Sequence, residues 1–318
     1  MSVVLFYQMS LFVTVRSFGK STKLVSARHM SKFNTLKMTN GQVPVSTLSV
    51  LEDNALRNVY YIDKGEDTNN PPLVLIAGTA QTIDTFTPHI NQISKTRRLI
   101  IPELRGQGRT ELNAEHCTIE QQVKDITTIL NKMNIDTIHL GGFSFGGRVA
   151  MAYAAHCPDR VKRLSITAIP FTRPIMGKII LDSWMDGLSR GNMRECAWSF
   201  IINGYSKEFL EKNYERLSLY VDMIVQANDP TKVFNLIHQS AKTFPGDPYA
   251  IPQCAEKIQC PTQVIAAKQD RIAGFEPVHQ LAQHISQCEY IEMNTGHLAP
   301  FENPLVWRKH LMDFMNRD

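Results

Sequence analysis

Short apolar runs alternate with helical hydrophobic patterns along the chain from about residue 57 onward. A short, continuous apolar run bounded by turn residues is typical of a strand buried on both faces of a parallel sheet. Such runs occupy residues 73–77, 98–101, 137–141, 163–169 and 261–267. The alternation therefore predicts an α/β fold with a mostly parallel sheet and helices on both faces. Two further segments, 45–51 and 58–63, predict an antiparallel hairpin that opens the sheet.

The helical patterns fall into two groups. Those that alternate with strands cover residues 83–94, 119–133, 144–156, 276–286 and 304–315. The others follow one another without an intervening strand and cover residues 175–188, 193–202, 207–226 and 231–243. We therefore predict a leader over residues 1–44, a core formed by 45–170 and 260–318, and a helical cap over 171–259.

The predicted cap is rich in large apolar side chains, and methionine in particular adapts to irregular shapes. These residues are Met176, Trp184, Met185, Met193, Trp198, Phe200, Tyr205 and Met223. We expect most of them to pack the cap onto the core. The composition predicts an apolar substrate pocket, without assigning its lining.

The candidate nucleophile is Ser144, in the pentapeptide Gly-Phe-Ser-Phe-Gly at 142–146, between a predicted strand and a predicted helix. In this G-x-S-x-G context a tight turn lifts the serine hydroxyl clear of the backbone, and the flanking glycines leave room for the turn. The helix that follows favours negative charge at the turn. The surrounding residues match neither a phosphate loop nor a dinucleotide fingerprint.

Asp270 and His297 are the candidate partners of that serine. A serine hydroxyl needs a base, and the base needs a carboxylate that holds it in the right tautomer. Asp270 comes just after the predicted strand 261–267, and His297 follows the next predicted strand. The carboxyl ends of parallel strands share one edge of a sheet, where such sheets bind ligands. We predict His297 as the base and Asp270 as its acid, with Glu276 and Glu302 as alternative acids.

With these motifs the chain resembles the α/β-hydrolase superfamily, of the serine-nucleophile type with a cap domain. The resemblance rests on the G-x-S-x-G motif around Ser144, the strand before Asp270, and the Gly-His pair at 296–297 with Phe-Glu-Asn-Pro at 301–304. It covers the chain from about residue 74 to the C-terminus. It implies a sheet of the eight-stranded type, a helical cap and a Ser-His-Asp triad.

The resemblance also implies an oxyanion hole made of two backbone amides. One amide is expected from Phe145, directly after the nucleophile. The other is expected from Thr79, with Ala80 beside it, in the loop after the strand 73–77. Family members usually begin this loop with His-Gly, whereas this chain has Ala-Gly at 77–78.

A second loop, residues 102–110, resembles the family's Asp-x-Arg-Gly-x-Gly loop. Glu103 stands in place of the usual acid, and Thr110 in place of the usual serine. Its glycines and ionic groups suit a bent loop near the sheet edge, so we expect its role to be structural.

Composition limits the other classes of function. The chain has 318 residues, 43% apolar and 20% charged, which is enough for one full core and a small appendage. Its six cysteines form no C-x-x-C pair and no His/Cys cluster. This pattern predicts free thiols in a reducing compartment and no metal site. Serine-based acyl chemistry with the predicted triad requires no cofactor.

The net charge of +4 belongs to the N-terminal segment, since residues 1–51 carry six basic and no acidic residues. The charge therefore gives no support to nucleic-acid binding. An acid-free leader with Arg, Ser and Thr resembles an organelle presequence, and we expect a mitochondrial one. A plastid presequence or a membrane anchor over 3–15 is an alternative, and Met30 or Met38 can start a cytosolic form.

Three hypotheses about function follow. The first is a serine hydrolase that cleaves a small, apolar carboxylic ester or thioester. The second uses the same triad for acyl transfer, C–C bond hydrolysis or a lyase-type elimination. This chain lacks the His that family members usually have before Gly78, and that difference keeps the second hypothesis open. The third is a binding module on a hydrolase scaffold, and the presence of all three predicted triad residues argues against it. The sequence leaves the oligomeric state open.

Overall fold

The computed structural model describes residues 45–52, 55–66, 70–242 and 244–317. The predicted leader over 1–44 lies outside the described residues. The strands are β1 (Ser46–Glu52), β2 (Ala55–Lys64), β3 (Leu73–Ile76), β4 (Leu99–Pro102), β5 (Ile138–Phe143), β6 (Val161–Thr167), β7 (Thr262–Ala267) and β8 (Cys288–Met293). Within the described chain they form one eight-stranded sheet in the order β1-β2-β4-β3-β5-β6-β7-β8.

The helices are named in chain order. They are α1 (Thr87–Ile93), α2 (Ile119–Lys132), α3 (Phe145–His156), α4 (Ile175–Ser189), α5 (Met193–Gly204), α6 (Lys207–Lys212), α7 (Leu217–Ala227), α8 (Pro230–Ala241), α9 (Ile251–Lys257), α10 (Phe275–Gln283), α11 (Ala299–Glu302) and α12 (Pro304–Met315).

The predicted fold class is confirmed. Strand β2 runs antiparallel to β1 and β4, and the remaining neighbours pair in parallel. Every residue of β3, β4, β5 and β7 is buried, as expected for central parallel strands covered on both faces. The parallel order brings the carboxyl ends of β3, β5, β7 and β8 to one edge of the sheet. The predicted opening hairpin is also present, as β1 and β2.

Two predicted helices differ from those in the structure. The segment 207–226 was predicted as one helix, but it forms α6, a 3₁₀ turn and α7. The side-chain amide of Asn213 donates to the carbonyl of Phe209, four residues back, where the first of these helices ends. The segment 83–94 begins as a 3₁₀ turn, and α1 starts only at Thr87. Pro88 stands in its first turn, the part of a helix where a missing N–H costs nothing.

Helices α4 to α8 lie between β6 and β7, and α4, α5, α7 and α8 share an apolar cluster. At its centre the rings of Trp184 and Phe200 stack with centroids 4.3 Å apart. The cluster also takes in Ala80, after β3, and Ile272, after β7. These helices therefore pack against the loops at the carboxyl edge of the sheet.

Helix α9 was not predicted, and it falls within the range 171–259 assigned to the cap. Its residues Cys254 and Ala255 belong to the apolar cluster around α3 in the core. Seven residues with a proline in the first turn are too few to show a helical period. The division into core and cap stays a prediction. Helix α9 falls within the range predicted for the cap, but it packs against the core.

Candidate active site

Ser144 sits on the turn between β5 and α3 with φ 52° and ψ −124°, a conformation that few non-glycine residues adopt. A Cβ added to Gly142 would lie 2.5 Å from the carbonyl oxygen of Gly146, and one added to Gly146 would clash with the carbonyl oxygen of Ala77. The backbone amide of Ser144 donates to Thr167 on β6 over 2.9 Å. The glycines therefore permit the close turn, and the neighbouring strand holds it in place.

The structure brings Asp270 and His297 to this serine. Asp270 Oδ2 lies 2.8 Å from His297 Nδ1, and His297 Nε2 lies 2.8 Å from Ser144 Oγ. His297 is 2% exposed, and the Asp270 side chain is fully buried. Three side chains that are far apart in sequence thus form one continuous hydrogen-bonded chain at the carboxyl edge of the sheet.

The hydrogen bonds of Asp270 determine the tautomer of His297. The other carboxylate oxygen, Oδ1, accepts from the backbone amides of Ile272 and Ala273, each over 2.8 Å. An ionised carboxylate only accepts hydrogen bonds, so His297 donates to it from Nδ1. The neutral ring then accepts at Nε2, where the hydroxyl of Ser144 donates. This arrangement can remove the proton of the serine.

The two alternative acids do not contact His297. Glu302 Oε2 accepts from the amides of Gly296 and Ser206, over 3.0 and 2.9 Å, and so holds the loop that carries His297. Glu276 lies in the first turn of α10, with a largely exposed side chain. Glu302 therefore positions the histidine loop, a role that sequence reasoning missed because it depends on contacts across the fold.

Thr79 and Phe145, the predicted oxyanion donors, line the same cavity as Ser144 and His297. Among the described residues, neither backbone amide donates to a protein acceptor. Both amides are thus available at the predicted position.

The loop that carries Thr79 is braced by side chains. Gln81 Oε1 accepts from the amide of Gly78 over 2.8 Å, and Asn228 Nδ2 donates to the carbonyl of Ala80 over 3.0 Å. These contacts hold the loop although the His of the family's usual His-Gly is absent. Neither brace was predicted, since Asn228 reaches the loop only through the fold.

The loop around Glu103 is structural, as predicted. Its carboxylate is buried and accepts from the amides of Ile83 and Arg109 over 3.2 and 2.8 Å, and from Arg109 Nη2 over 2.7 Å. In the same loop, the buried Arg105 forms a bidentate pair with Asp125 over 2.6 and 2.8 Å. Arg105 also pairs with Glu52.

The cavity over Ser144 has apolar walls and two arginines. Of the aromatic and methionine residues named in the predicted cap, Trp184 lines it in the described structure. The further lining residues are Thr79, Phe145, Arg148, Ala168, Ile169, Pro170, Arg173, Leu181, Ile237, Ser240, Ala241, Ile251, Ile272 and Ala273. Sequence reasoning did not identify either arginine.

In the part of the chain that the structure describes, no three His, Cys, Asp or Glu side chains group as they would around a metal ion. No helix of that part has the length and apolar character needed to cross a membrane. All six cysteines are free, and burial raises the pKa of the Cys117 thiol to about 12.

The chain is similar to several known proteins. Pyrrolizixenacetamide deacetylase of Xenorhabdus hominickii is 24% identical, over 75% of this chain and 88% of that protein. Monoacylglycerol lipase ABHD6 of Bos taurus is 28% identical, over 80% of this chain and 78% of that protein. The fold of the enol-lactonase from Burkholderia xenovorans superimposes with a TM-score of 0.73 at 21% identity, covering 85% of this chain and 100% of that one. Residues 71–304 match the alpha/beta hydrolase fold family, so the chain belongs to that family.

Proposed function

We propose that the protein hydrolyses carboxylic esters or thioesters through a Ser-His-Asp triad and an acyl-enzyme. The observation that carries the proposal is the hydrogen-bonded chain Asp270–His297–Ser144, with 2.8 Å at each link. The names of two relatives, a lipase and a deacetylase, support removal of an acyl group. The apolar side chains among the lining residues of the cavity suit an apolar part of the acyl group.

The first half of the reaction acylates the enzyme. His297 Nε2 takes the proton from Ser144 as Oγ attacks the acyl carbon, and Asp270 stabilises the resulting imidazolium. The amides of Phe145 and Thr79 donate to the oxyanion of the tetrahedral intermediate, and each such donor contributes about 3 kcal/mol of transition-state stabilisation. His297 then gives its proton to the leaving alcohol or thiol.

The second half releases the acid. A water molecule replaces the leaving group, and His297 takes one of its protons as the oxygen attacks the acyl-enzyme. The intermediate collapses, Ser144 recovers its proton from His297, and the carboxylic acid departs. The chain's own residues supply every proton transfer in this scheme.

Active-site labelling tests the nucleophile. A fluorophosphonate probe should label the wild-type protein and should not label Ser144→Ala. Ser183→Ala is a matched control, because that serine lies on α4 and does not line the cavity. Absent labelling of the wild type, or equal labelling of Ser144→Ala, would reject the proposal.

Turnover on p-nitrophenyl esters and acyl thioesters of graded length then defines the acyl group. Hydrolysis in ¹⁸O-enriched water should place the label in the released acid. The altered loop before Gly78 keeps acyl transfer, C–C bond hydrolysis and lyase chemistry as alternatives. Turnover that requires a second acyl acceptor, or that proceeds without label in the acid, would favour one of them.

For the leader over 1–44 we propose mitochondrial targeting, on the basis of its basic, acid-free composition. A fluorescent protein fused behind residues 1–44 should enter mitochondria. Replacing the leader's lysines and arginines with glutamine should abolish import. Accumulation in plastids, at membranes or in the cytosol would support one of the alternatives instead.

A further inference from the structure

Two arginines share the cavity with the candidate nucleophile. Arg148 lies on α3 four residues after Ser144, which is about one helical turn, or roughly 6 Å, along the axis. Arg173 lies on the connection from β6 to α4, two residues before that helix begins. Both side chains are only partly exposed. The two cations therefore approach the cavity from different elements of the fold.

Neither guanidinium is fully engaged by the protein. Arg148 Nη1 donates to the carbonyl of Ser240 at the end of α8 over 2.5 Å, while its Nε is buried without a partner. Arg173 has no hydrogen bond or ion pair to any residue that the structure describes. A guanidinium carries five N–H donors, so most of the donors of this pair remain free.

The two carboxylates that attract these arginines do not supply the missing hydrogen-bond partners. Asp270 attracts Arg173, but its two oxygens are already used by His297 and by two backbone amides. Asp247 attracts Arg148, but it forms no ion pair with it among the described residues, and its Oδ1 accepts from the amide of Tyr249.

The lack of a close counter-charge is reflected in the pKa values of Arg148 and Arg173. Burial, and after it the charge of Arg173, lowers the pKa of Arg148 to about 10. Burial also lowers the pKa of Arg173. Arg105 shows the opposite arrangement, because two carboxylates neutralise that buried cation in the loop around Glu103. Burying a charge without a counter-charge is costly, and an anion bound in the cavity would offset that cost for Arg148 and Arg173.

We propose that Arg148 and Arg173 bind an oxyanion group, a carboxylate or phosphate, that the ester substrate carries on its acyl part or leaving group. The guanidinium fork matches the planar or tetrahedral oxygens of such a group. Because Arg148 follows Ser144 by one helical turn and both line one cavity, we expect a short spacer of a few carbon atoms between the scissile carbonyl and the anion. The apolar walls of the cavity contact that spacer. This inference rests on the proposed ester hydrolysis and specifies its substrate class.

The test compares esters of the same acyl chain that differ in the charge of the terminal group. The substrates are p-nitrophenyl hydrogen succinate and its neutral analogue, p-nitrophenyl methyl succinate. Wild-type protein should show kcat/KM at least tenfold higher for the anionic ester, and added NaCl should reduce that preference. In Arg148→Met and Arg173→Met the preference should fall by about 10- to 100-fold, the range for a charged hydrogen bond. Arg317→Met, at the exposed C-terminus, should keep the wild-type preference.

The identity of the anion needs a second comparison. A p-nitrophenyl ester bearing a phosphonate in place of the terminal carboxylate distinguishes the two sources. A higher kcat/KM for the phosphonate indicates a phosphorylated substrate, and a higher value for the succinate indicates a dicarboxylic one. Both outcomes support the anion site formed by Arg148 and Arg173.

Other outcomes overturn it. Equal kcat/KM for charged and neutral esters in the wild type would reject the anion site while leaving ester hydrolysis intact. Loss of thermal stability in Arg148→Met without any change of preference would show that this arginine only caps α8. If the methionine variants do not fold, Arg148→Gln and Arg173→Gln remove the charge and keep a polar side chain, and an unchanged preference in both would reject the anion site. No turnover of either ester would instead count against the proposed function.

Discussion

Asp270→Asn should inactivate the triad while leaving the fold intact. In the wild-type structure Asp270 Oδ1 accepts from the amides of Ile272 and Ala273, each over 2.8 Å. An asparagine at this position keeps those bonds only if its oxygen faces the two amides. Its NH₂ group must then face His297 Nδ1 and donate to it. The imidazole is forced into the tautomer with the proton on Nε2, which cannot accept the proton of Ser144.

The structure sets the size of this effect. Rotating the asparagine amide would break two hydrogen bonds and leave two buried N–H groups facing NH₂, at about 1–3 kcal/mol for each unsatisfied group. The rotated form is therefore populated at only a few per cent or less. With the wrong tautomer dominant, kcat/KM should fall by about 10⁴, as in other triads with this substitution. That loss corresponds to about 5.5 kcal/mol.

The assay is kcat/KM on the best p-nitrophenyl ester, together with the Tm of both proteins. Asp229→Asn is the matched control, because Asp229 caps α8 and asparagine caps helices equally well. The control should keep wild-type activity and Tm. Activity of Asp270→Asn within about tenfold of the wild type, at an unchanged Tm, would refute the tautomer argument.

Three further predictions concern the turn, the ionic core and pH. Gly142→Ala places a Cβ 2.5 and 2.6 Å from backbone atoms, so esterase activity and Tm should both fall. The control is Gly187→Ala, whose Cβ meets ordinary contacts at 3.5 Å or more, and it should retain wild-type activity and Tm. Arg105→Met leaves the buried Asp125 without its cation and Glu52 with the longer contact to Arg57. It should lower the free energy of unfolding in urea by about 3–5 kcal/mol, and an unchanged urea midpoint would contradict this. Burial lowers the pKa of His89 from 6.5 to about 3, so between these values the unfolded chain binds a proton that the native state does not. The free energy of unfolding should therefore fall as the pH drops from 6.5, by up to about 1.4 kcal/mol per pH unit, and His89→Asn should show a smaller slope in urea titrations at several pH values.

Much of the core could be predicted because its signals are local. Fully buried parallel strands are continuous apolar runs, and a tight strand-to-helix turn requires glycines at fixed positions. The positions of Ser144, Asp270 and His297 after three strands followed from the same pattern, since parallel strands place their carboxyl ends along one edge. The helices 175–188 and 193–202 were predicted from periodicity, and α4 and α5 match them within two residues.

The tertiary structure decided what depends on contacts between distant segments. It placed Asp270 against His297 and gave Glu302 the task of holding the loop at Gly296. It broke the predicted helix 207–226, and it directed α9 to the core. It also brought Arg148 and Arg173 into one cavity. Sequence periodicity reports which face of an element is buried, but the partner on that face is chosen only when the whole chain packs.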